Sequence, residues 1–287
     1  MPIYTPGKVV LAKQFTWNET VWNPSMIQTA LWLDAADSST VTTVSGAVSQ
    51  WNDKSGNVRT FAQSNVSARP VLTSAGLNGK NVITFGSGLF IGGATASDWG
   101  FMHGSQCSIL GVAAPSSTAN PGINQQILGT RASGLNPGLQ LSFRDASPQN
   151  EGFAHRVIRS DANSAVDYYT GDNTHPAANA ATIYTVLSDP ANVTASSRSQ
   201  VRFNGGSAFA LSTESNAPTS SATAPQFALR LGNDTASMTG YWAELVVTSS
   251  LLSVGIHQRI EGYLAHKWGL TANLPSNHPY KTVGPTP

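Results

Sequence analysis

The C-terminal stretch EGYLAHKWGLTANLPSNHPYK concentrates reactive side chains in a sequence that otherwise has few of them. Residues 261–281 contain one glutamate, two histidines, two lysines and three aromatic residues, whereas charged residues make up only 11% of the whole chain. A carboxylate near histidines is a combination that general acid and base catalysis uses. The same residue types also occur on the polar side of a packed helix. The element that carries this stretch therefore decides between a catalytic, a binding and a packing role.

The acidic residues do not form a recognisable catalytic pair. Sandwich glycoside hydrolases place two carboxylates on one strand, commonly as E-x-D-x-E, so that both point into one cleft. No two of the five glutamates in this sequence are four positions apart. The sequence also lacks the G-x-S-x-G and H-E-x-x-H motifs and a phosphate-binding loop. These observations favour a protein that is not an enzyme.

Glu244 is the carboxylate for which two roles are open. It lies in the alternating segment AELVV, two residues after Trp242. A half-buried glutamate at this position has Arg230 or Lys267 as candidate partners for an ion pair. The alternative is a catalytic carboxylate.

The motif WNDKSGN combines oxygen ligands with turn residues. Asp53 is able to accept hydrogen bonds from the backbone of Ser55 and Gly56 in an Asx turn, and Gly56 permits a left-handed conformation. We interpret the motif as a structural turn, with no cofactor. The alternative is a calcium site formed by Asp34, Asp37 and Asp53, because carboxylate oxygens suit Ca²⁺. Their spacing matches no fixed calcium-binding loop.

Helical periodicity is clear in residues 254–268. Ser253 is a candidate N-cap and Gly269 a natural C-terminal stop. Glu261 and Lys267 fall toward the opposite side of the predicted helix, so we expect them to face solvent and Lys267 to contribute little to stability. The apolar side chains recur on one face: Ile256, Ile260, Tyr263, Leu264 and Trp268. The pattern predicts an amphipathic helix that packs on the rest of the fold.

Short apolar or alternating runs fill residues 29–253, separated by Gly, Asn, Asp, Ser and Pro. Strand-length runs at this spacing, in a chain poor in charge, favour an all-β fold with two antiparallel sheets in a jelly-roll sandwich. We expect the domain to span residues 29–281, followed by a tail of residues 282–287. Seven residues are predicted to stabilise its structure: Trp32, Trp51, Asp53, Gly56, Trp242, Tyr263 and Trp268.

Residues 1–28 contain several prolines and apolar residues without a regular period. We predict an extended N-terminal arm whose Phe15, Trp17 and Trp22 contact a neighbouring subunit, because buried aromatic residues often dominate binding energy at interfaces. This arrangement implies a homo-oligomer. The alternative is that the arm folds back over its own sandwich.

Composition excludes some classes of partner. The formal net charge is +1 and no basic run is longer than a pair, so the sequence does not favour nucleic-acid binding. No apolar run approaches the length of a membrane span, and the N-terminus lacks the apolar core of a secretion signal, so we expect synthesis in a cytoplasm and no membrane contact. Cys107 is the only cysteine, and we expect it to be buried.

Five segments resemble the LamG-like jelly-roll family, which is related in fold to concanavalin A and laminin G domains. They are LWLDAADSSTVT, VSQWNDKSGN, LNGKNVITFGSG, AELVVTSSLLS with IEGYLAHKWGL, and LPSNHPY. The resemblance runs from about residue 30 to residue 281 and implies two curved antiparallel sheets. It does not specify a ligand, because this fold is shared by lectins, hydrolases and structural modules.

The resemblance also implies a setting, since such domains occur in bacterial surface proteins and in the structural proteins of tailed phages. Together with the predicted arm, it suggests a virion protein of a bacteriophage. The expected role is capsid decoration or a head fibre in contact with neighbouring capsid or tail subunits. A lectin-like adhesin or tail component that binds surface glycans for host recognition is the alternative, and a glycoside hydrolase is the third.

Overall fold

The computed structural model describes residues 21–86, 90–93, 95–116, 125–131, 136–146, 149–159, 166–170, 174–213, 224–232 and 238–287. The first nine strands in these ranges are β1 Leu31–Asp34, β2 Val41–Val44, β3 Ala47–Asn52, β4 Thr60–Ala62, β5 Val71–Leu77, β6 Lys80–Phe85, β7 Phe90–Gly93, β8 Cys107–Pro115 and β9 Gln125–Gly129. The others are β10 Gly138–Ala146, β11 Gln149–Ile158, β12 Val166–Tyr169, β13 Thr182–Ser188, β14 Ser199–Phe203, β15 Ser212–Thr213, β16 Arg230–Gly232 and β17 Gly240–Thr248. Two α-helices accompany them, α1 Phe101–Gly104 and α2 Val254–Trp268.

The strands form two antiparallel layers, which confirms the predicted all-β jelly-roll sandwich. In sheet one the order is β5, β6, β17, β8, β13, β14, and β1 pairs with the same edge of β17 as β6. In sheet two the order is β2, β3, β4, β7, β16, β9, β10, β11, β12, β15. Among the described residues, one pairing, between Ala47 and Val71, links the two sheets.

The main core lies between the sheets, and a second core lies between sheet one and α2. Successive residues of the central strand β17 belong to different cores. Leu245 and Val247 lie in the first core, and Val246 lies in the second. Because successive side chains point to opposite faces of a sheet, a central strand covered on both faces is apolar throughout. The adjacent strand β8 is buried at all nine positions for this reason.

Helix α2 has the bounds that periodicity predicts. Gly269 ends it with a left-handed φ of 73°, which a glycine adopts without strain from a side chain. Leu264 and Trp268 are fully buried in the second core. The expectation that Glu261 and Lys267 face solvent is wrong. Glu261 is 1% exposed, and the Lys267 ammonium lies against two carboxylates.

The two ends of the described chain meet on α2. The Trp22 side chain is 2% exposed and packs edge-on against Tyr263, with ring centroids 6.1 Å apart. Its backbone N–H donates to the carbonyl of Pro285 at 3.3 Å. The Trp22 side chain is therefore buried in its own domain. The arm prediction required it to contact a neighbouring subunit instead. Phe15 and Trp17 lie outside the described residues.

Two further predictions concern the single cysteine and the length of the helices. Cys107 is fully buried at the start of β8, and burial raises the pKa of its thiol to about 12, so the unreactive thiol form dominates at neutral pH. Among the described residues, no helix has the length and apolar character needed to cross a membrane.

Candidate functional site

Glu244 lies at the centre of a buried polar network between β17, β1 and α2. Trp32 Nε1 and the Tyr263 hydroxyl donate to Oε1 at 2.7 and 2.9 Å, and Trp268 Nε1 donates to Oε2 at 2.7 Å. The Lys267 ammonium lies 2.7 Å from Oε2. Every neighbour within hydrogen-bond distance is thus a donor, which is the arrangement that an ionised carboxylate requires.

A row of alternating charges extends this network toward the surface. Lys267 Nζ also lies 2.7 Å from Asp34 Oδ1, and Lys54 Nζ lies 3.0 Å from Asp34 Oδ2. Lys54 then reaches the more exposed Asp37 at 2.7 Å and lowers the pKa of that carboxyl group. We call these five charged residues, with Trp32, Tyr263 and Trp268, the Glu244 network. Of the two partners considered for Glu244, Lys267 is the one that the structure provides.

The environment of Glu244 suits packing better than catalysis. The side chain is fully buried, and burial raises its pKa while the Lys267 ammonium opposes that shift. Burial also raises the pKa of Tyr263, so its hydroxyl stays protonated and donates. A general base needs to reach the proton of a bound substrate, whereas both Glu244 oxygens are engaged by side chains of the same chain. The Glu244 network joins α2 to both β1 and β17.

Asp53 accepts the predicted backbone hydrogen bond from Ser55, whereas the predicted bond from Gly56 is not among the hydrogen bonds of the described residues. Its Oδ2 accepts from the Ser55 hydroxyl at 2.6 Å, and a further bond comes from Trp32. Asp53 Oδ1 accepts from the backbone N–H of Ser55 at 2.8 Å and from that of Trp32 at 2.9 Å. Gly56 has a φ of +87°, which agrees with the predicted left-handed conformation. The turn therefore fixes the loop of residues 54–59 to the start of β1.

The calcium alternative required Asp34, Asp37 and Asp53 to converge. Instead, the Lys54 ammonium lies between Asp34 and Asp37. Asp53 accepts hydrogen bonds from Ser55 within its own turn. Within the described ranges, no group of three or more His, Cys, Asp or Glu side chains is arranged to hold a metal ion.

Beyond this turn, the chain borders a polar cleft of about 360 Å³. Residues 57–60 form one wall, and Gly93, Thr95, Asp98 and Trp99 form the other. The pairing of Phe61 with Gly93 between β4 and β7 brings the two walls together. We call this site the polar cleft. This cleft was not predicted from the sequence, because its two walls are separated in sequence and are brought together by strand register.

Charged and aromatic side chains support the polar cleft. The Arg59 guanidinium lies 4.9 Å from the centre of the Trp99 ring and donates to the carbonyl of Ala30. Trp99 itself is buried against Phe61. Asp98 is exposed, and within the part of the chain that the structure describes it has no ion-pair partner. A rigid base with an open carboxylate, threonine hydroxyls and a guanidinium suits a ligand rich in hydroxyl groups.

No family model matches the sequence, and no curated protein matches it. Several solved structures have a similar fold, including three binding domains. The binding domain of botulinum neurotoxin DC in complex with SialylT has a TM-score of 0.51 at 8% identity, over 84% of this chain and 52% of that chain. The botulinum neurotoxin serotype G binding domain has a TM-score of 0.53 at 12% identity, over 83% and 51%.

The third is the binding domain of Paraclostridial Mosquitocidal Protein 1, with a TM-score of 0.54 at 12% identity over 84% of this chain and 52% of that chain. The present chain spans about half the length of these binding domains. At such low identity the likeness concerns the fold alone. The chain thus has the β-sandwich architecture found in these binding domains.

Proposed function

We propose that the chain is a non-catalytic, lectin-like binding module that holds a glycan in the polar cleft. The observation that carries this proposal is the cleft itself, which exposed Asp98 and the residue 57–60 loop line together. Sugar hydroxyls both donate and accept hydrogen bonds, so a carboxylate opposite hydroxyl and guanidinium groups matches them. The shared architecture with three binding domains, one of them in complex with SialylT, gives the proposal its second support.

We propose binding rather than hydrolysis because of the number of carboxylates that line the polar cleft. Glycoside hydrolysis by the common mechanisms needs two carboxyl groups on opposite sides of the scissile bond. Asp98 is the one carboxylate among the described residues that line the polar cleft. The buried Glu244 belongs to sheet one and is engaged by four donors.

The proposal predicts that Asp98→Ala weakens glycan binding without loss of stability. A surface substitution away from the core usually changes the free energy of unfolding by less than about 0.5 kcal/mol, whereas a lost charged hydrogen bond to a ligand costs about 1.5 to 3 kcal/mol. An array of glycans identifies the bound class, and calorimetry with the best glycan then compares the two proteins. The expected loss of affinity is about tenfold to a hundredfold.

Ser196→Ala, in a separate pocket lined by residues from 195–200 and 208–211, is the matched control. It should bind as the unchanged protein does. Equal affinity of Asp98→Ala and the unchanged protein would place the site elsewhere, and no binding to any glycan would refute the lectin-like role.

A structural role in a phage particle is the second proposal, and it rests on the sequence. The LamG-like resemblance and the apolar side chains of Phe15 and Trp17 support a chain that attaches to neighbouring virion subunits. Trp22 does not contribute, since it is buried in its own domain.

A variant with Phe15 and Trp17 replaced by serine tests this role. If these residues attach the chain to a particle, the variant stays folded and no longer co-purifies with virions in a density gradient. Undiminished association with virions would contradict attachment through these residues, and absence of the unchanged chain from every particle would contradict the structural role.

A further inference from the structure

A buried cluster of polar side chains lies between α2, sheet one and the C-terminal residues. Glu261 accepts from the Thr185 hydroxyl at 2.7 Å, and its other oxygen lies 3.3 Å from His278 Nε2. His257 precedes Glu261 by four residues on α2, which places the two side chains on neighbouring positions of one helix face. We call His257, Glu261 and His278 the histidine cluster. Neither proposed function uses it.

The contacts of His278 determine which of its nitrogens carries the proton. The backbone N–H of Tyr280 donates to His278 Nδ1 at 3.3 Å, so Nδ1 is an acceptor and the proton is on Nε2. That proton is directed at Glu261. The ring therefore joins the turn of residues 278–280 to α2, and this bond depends on the position of the Glu261 carboxylate.

His257 differs from His278 because both of its ring nitrogens are buried without a hydrogen-bond partner among the described residues. The side chain is 1% exposed. A neutral imidazole tolerates this setting at some cost, but an imidazolium carries two N–H donors and needs an acceptor. The acidic group next to it on the helix is Glu261, whose carboxylate is already shared by Thr185 and His278.

We propose that His257 is the proton sensor of an acid-sensitive latch: when it is protonated, it draws Glu261 away from His278 and releases residues 275–287 from α2. The released residues would include Lys281, whose ammonium donates to the carbonyls of Thr271 and Leu274 at 2.8 and 2.6 Å. They would also include Pro285, the backbone partner of Trp22. Sheet one would remain folded.

The groups around His257 also favour release of the C-terminal residues at low pH. Burial lowers the pKa of His257, the neighbouring Arg202 and His278 lower it further, and Glu261 opposes them. A folded state that binds fewer protons than the open state loses stability as the pH falls through the ordinary histidine pKa of about 6.5. The latch is therefore closed above this pH and is expected to loosen below it.

Hydrogen exchange of the full chain tests the latch. Protection is measured at about pH 7.5 and about pH 5.0, on either side of the ordinary histidine pKa, and corrected for intrinsic exchange. We expect protection in residues 275–287 to fall severalfold at the lower pH while β8 keeps its protection, since segments open locally with different free energies. In His257→Leu, which carries no proton at this position, the fall should disappear.

His257→Gln serves as a second variant if the leucine disturbs folding, and His175→Gln, on a histidine outside the cluster, should respond as the unchanged chain does. Equal loss of protection in β8 and in residues 275–287 would overturn the proposal. So would the same pH response in the folded His257 variants.

Discussion

Replacing Lys267 with alanine is expected to lower the free energy of unfolding by about 3 to 5 kcal/mol, the usual cost of removing one partner from a buried ion pair. The Lys267 ammonium lies 2.7 Å from both Asp34 and Glu244, and its side chain is 16% exposed. Without it, Glu244 remains fully buried with its charge unpaired by a cation. Urea unfolding followed by circular dichroism measures the loss.

Lys80→Ala is the matched control, because Lys80 begins strand β6 and has no ion-pair partner among the described residues. It should cost less than about 0.5 kcal/mol. The sequence analysis predicted this small value for Lys267 itself. Equal and small losses for the two variants would show that the Glu244 network does not stabilise the fold.

Trp268→Ala is expected to cost about 3 to 5 kcal/mol, as large aromatic truncations in cores do. The side chain is fully buried in the second core, and its Nε1 donates to Glu244 Oε2 at 2.7 Å. Trp268→Phe separates these contributions, since it keeps most of the apolar volume and removes the donor. We expect it to cost about 1 to 3 kcal/mol, the price of leaving a buried acceptor short of a donor.

Unfolding curves of the two Trp268 variants distinguish packing from hydrogen bonding. A neutral Trp268→Phe would mean that the bond to Glu244 contributes nothing, and a small loss in Trp268→Ala would contradict the packing of α2 on sheet one. The alanine variants of Lys267 and Trp268 should not add, because both act on Glu244.

The sandwich and α2 were predictable because their patterns are local. The run YWAELVVTS is strand β17, and the apolar spacing ending at Trp268 gives the bounds of α2. Strands β2 to β5 have weaker sequence patterns, because most of their residues are exposed or only partly buried. Strand β2, VTTV, is exposed at three of its four positions, so it shows no apolar face that a pattern could reveal.

The prediction that Glu261 and Lys267 face solvent was wrong for a related reason. Periodicity finds the most apolar face of a helix but does not show what covers the adjacent positions. In this chain, His278 packs against Glu261, and Asp34 of β1 reaches Lys267. Both partners are distant in sequence, so their contacts follow from the tertiary fold.

The polar cleft was unpredictable because its two walls are separated in sequence and joined by strand register. Asp98 and the residue 57–60 loop come together only through the β4 and β7 pairing. The motif WNDKSGN did identify the turn that holds this loop, although its role at the cleft was not evident. A signature that we interpreted as structural therefore also supports the candidate binding site.

The most direct test of binding at the polar cleft is to map a glycan selected on the array by NMR chemical-shift perturbation of the backbone amides. The account predicts that the largest changes fall in residues 57–60 and 93–99, and that Asp98→Ala removes them. Changes concentrated around residues 195–200 and 208–211, which line a different pocket, with the chemical shifts of the cleft amides unchanged, would contradict it.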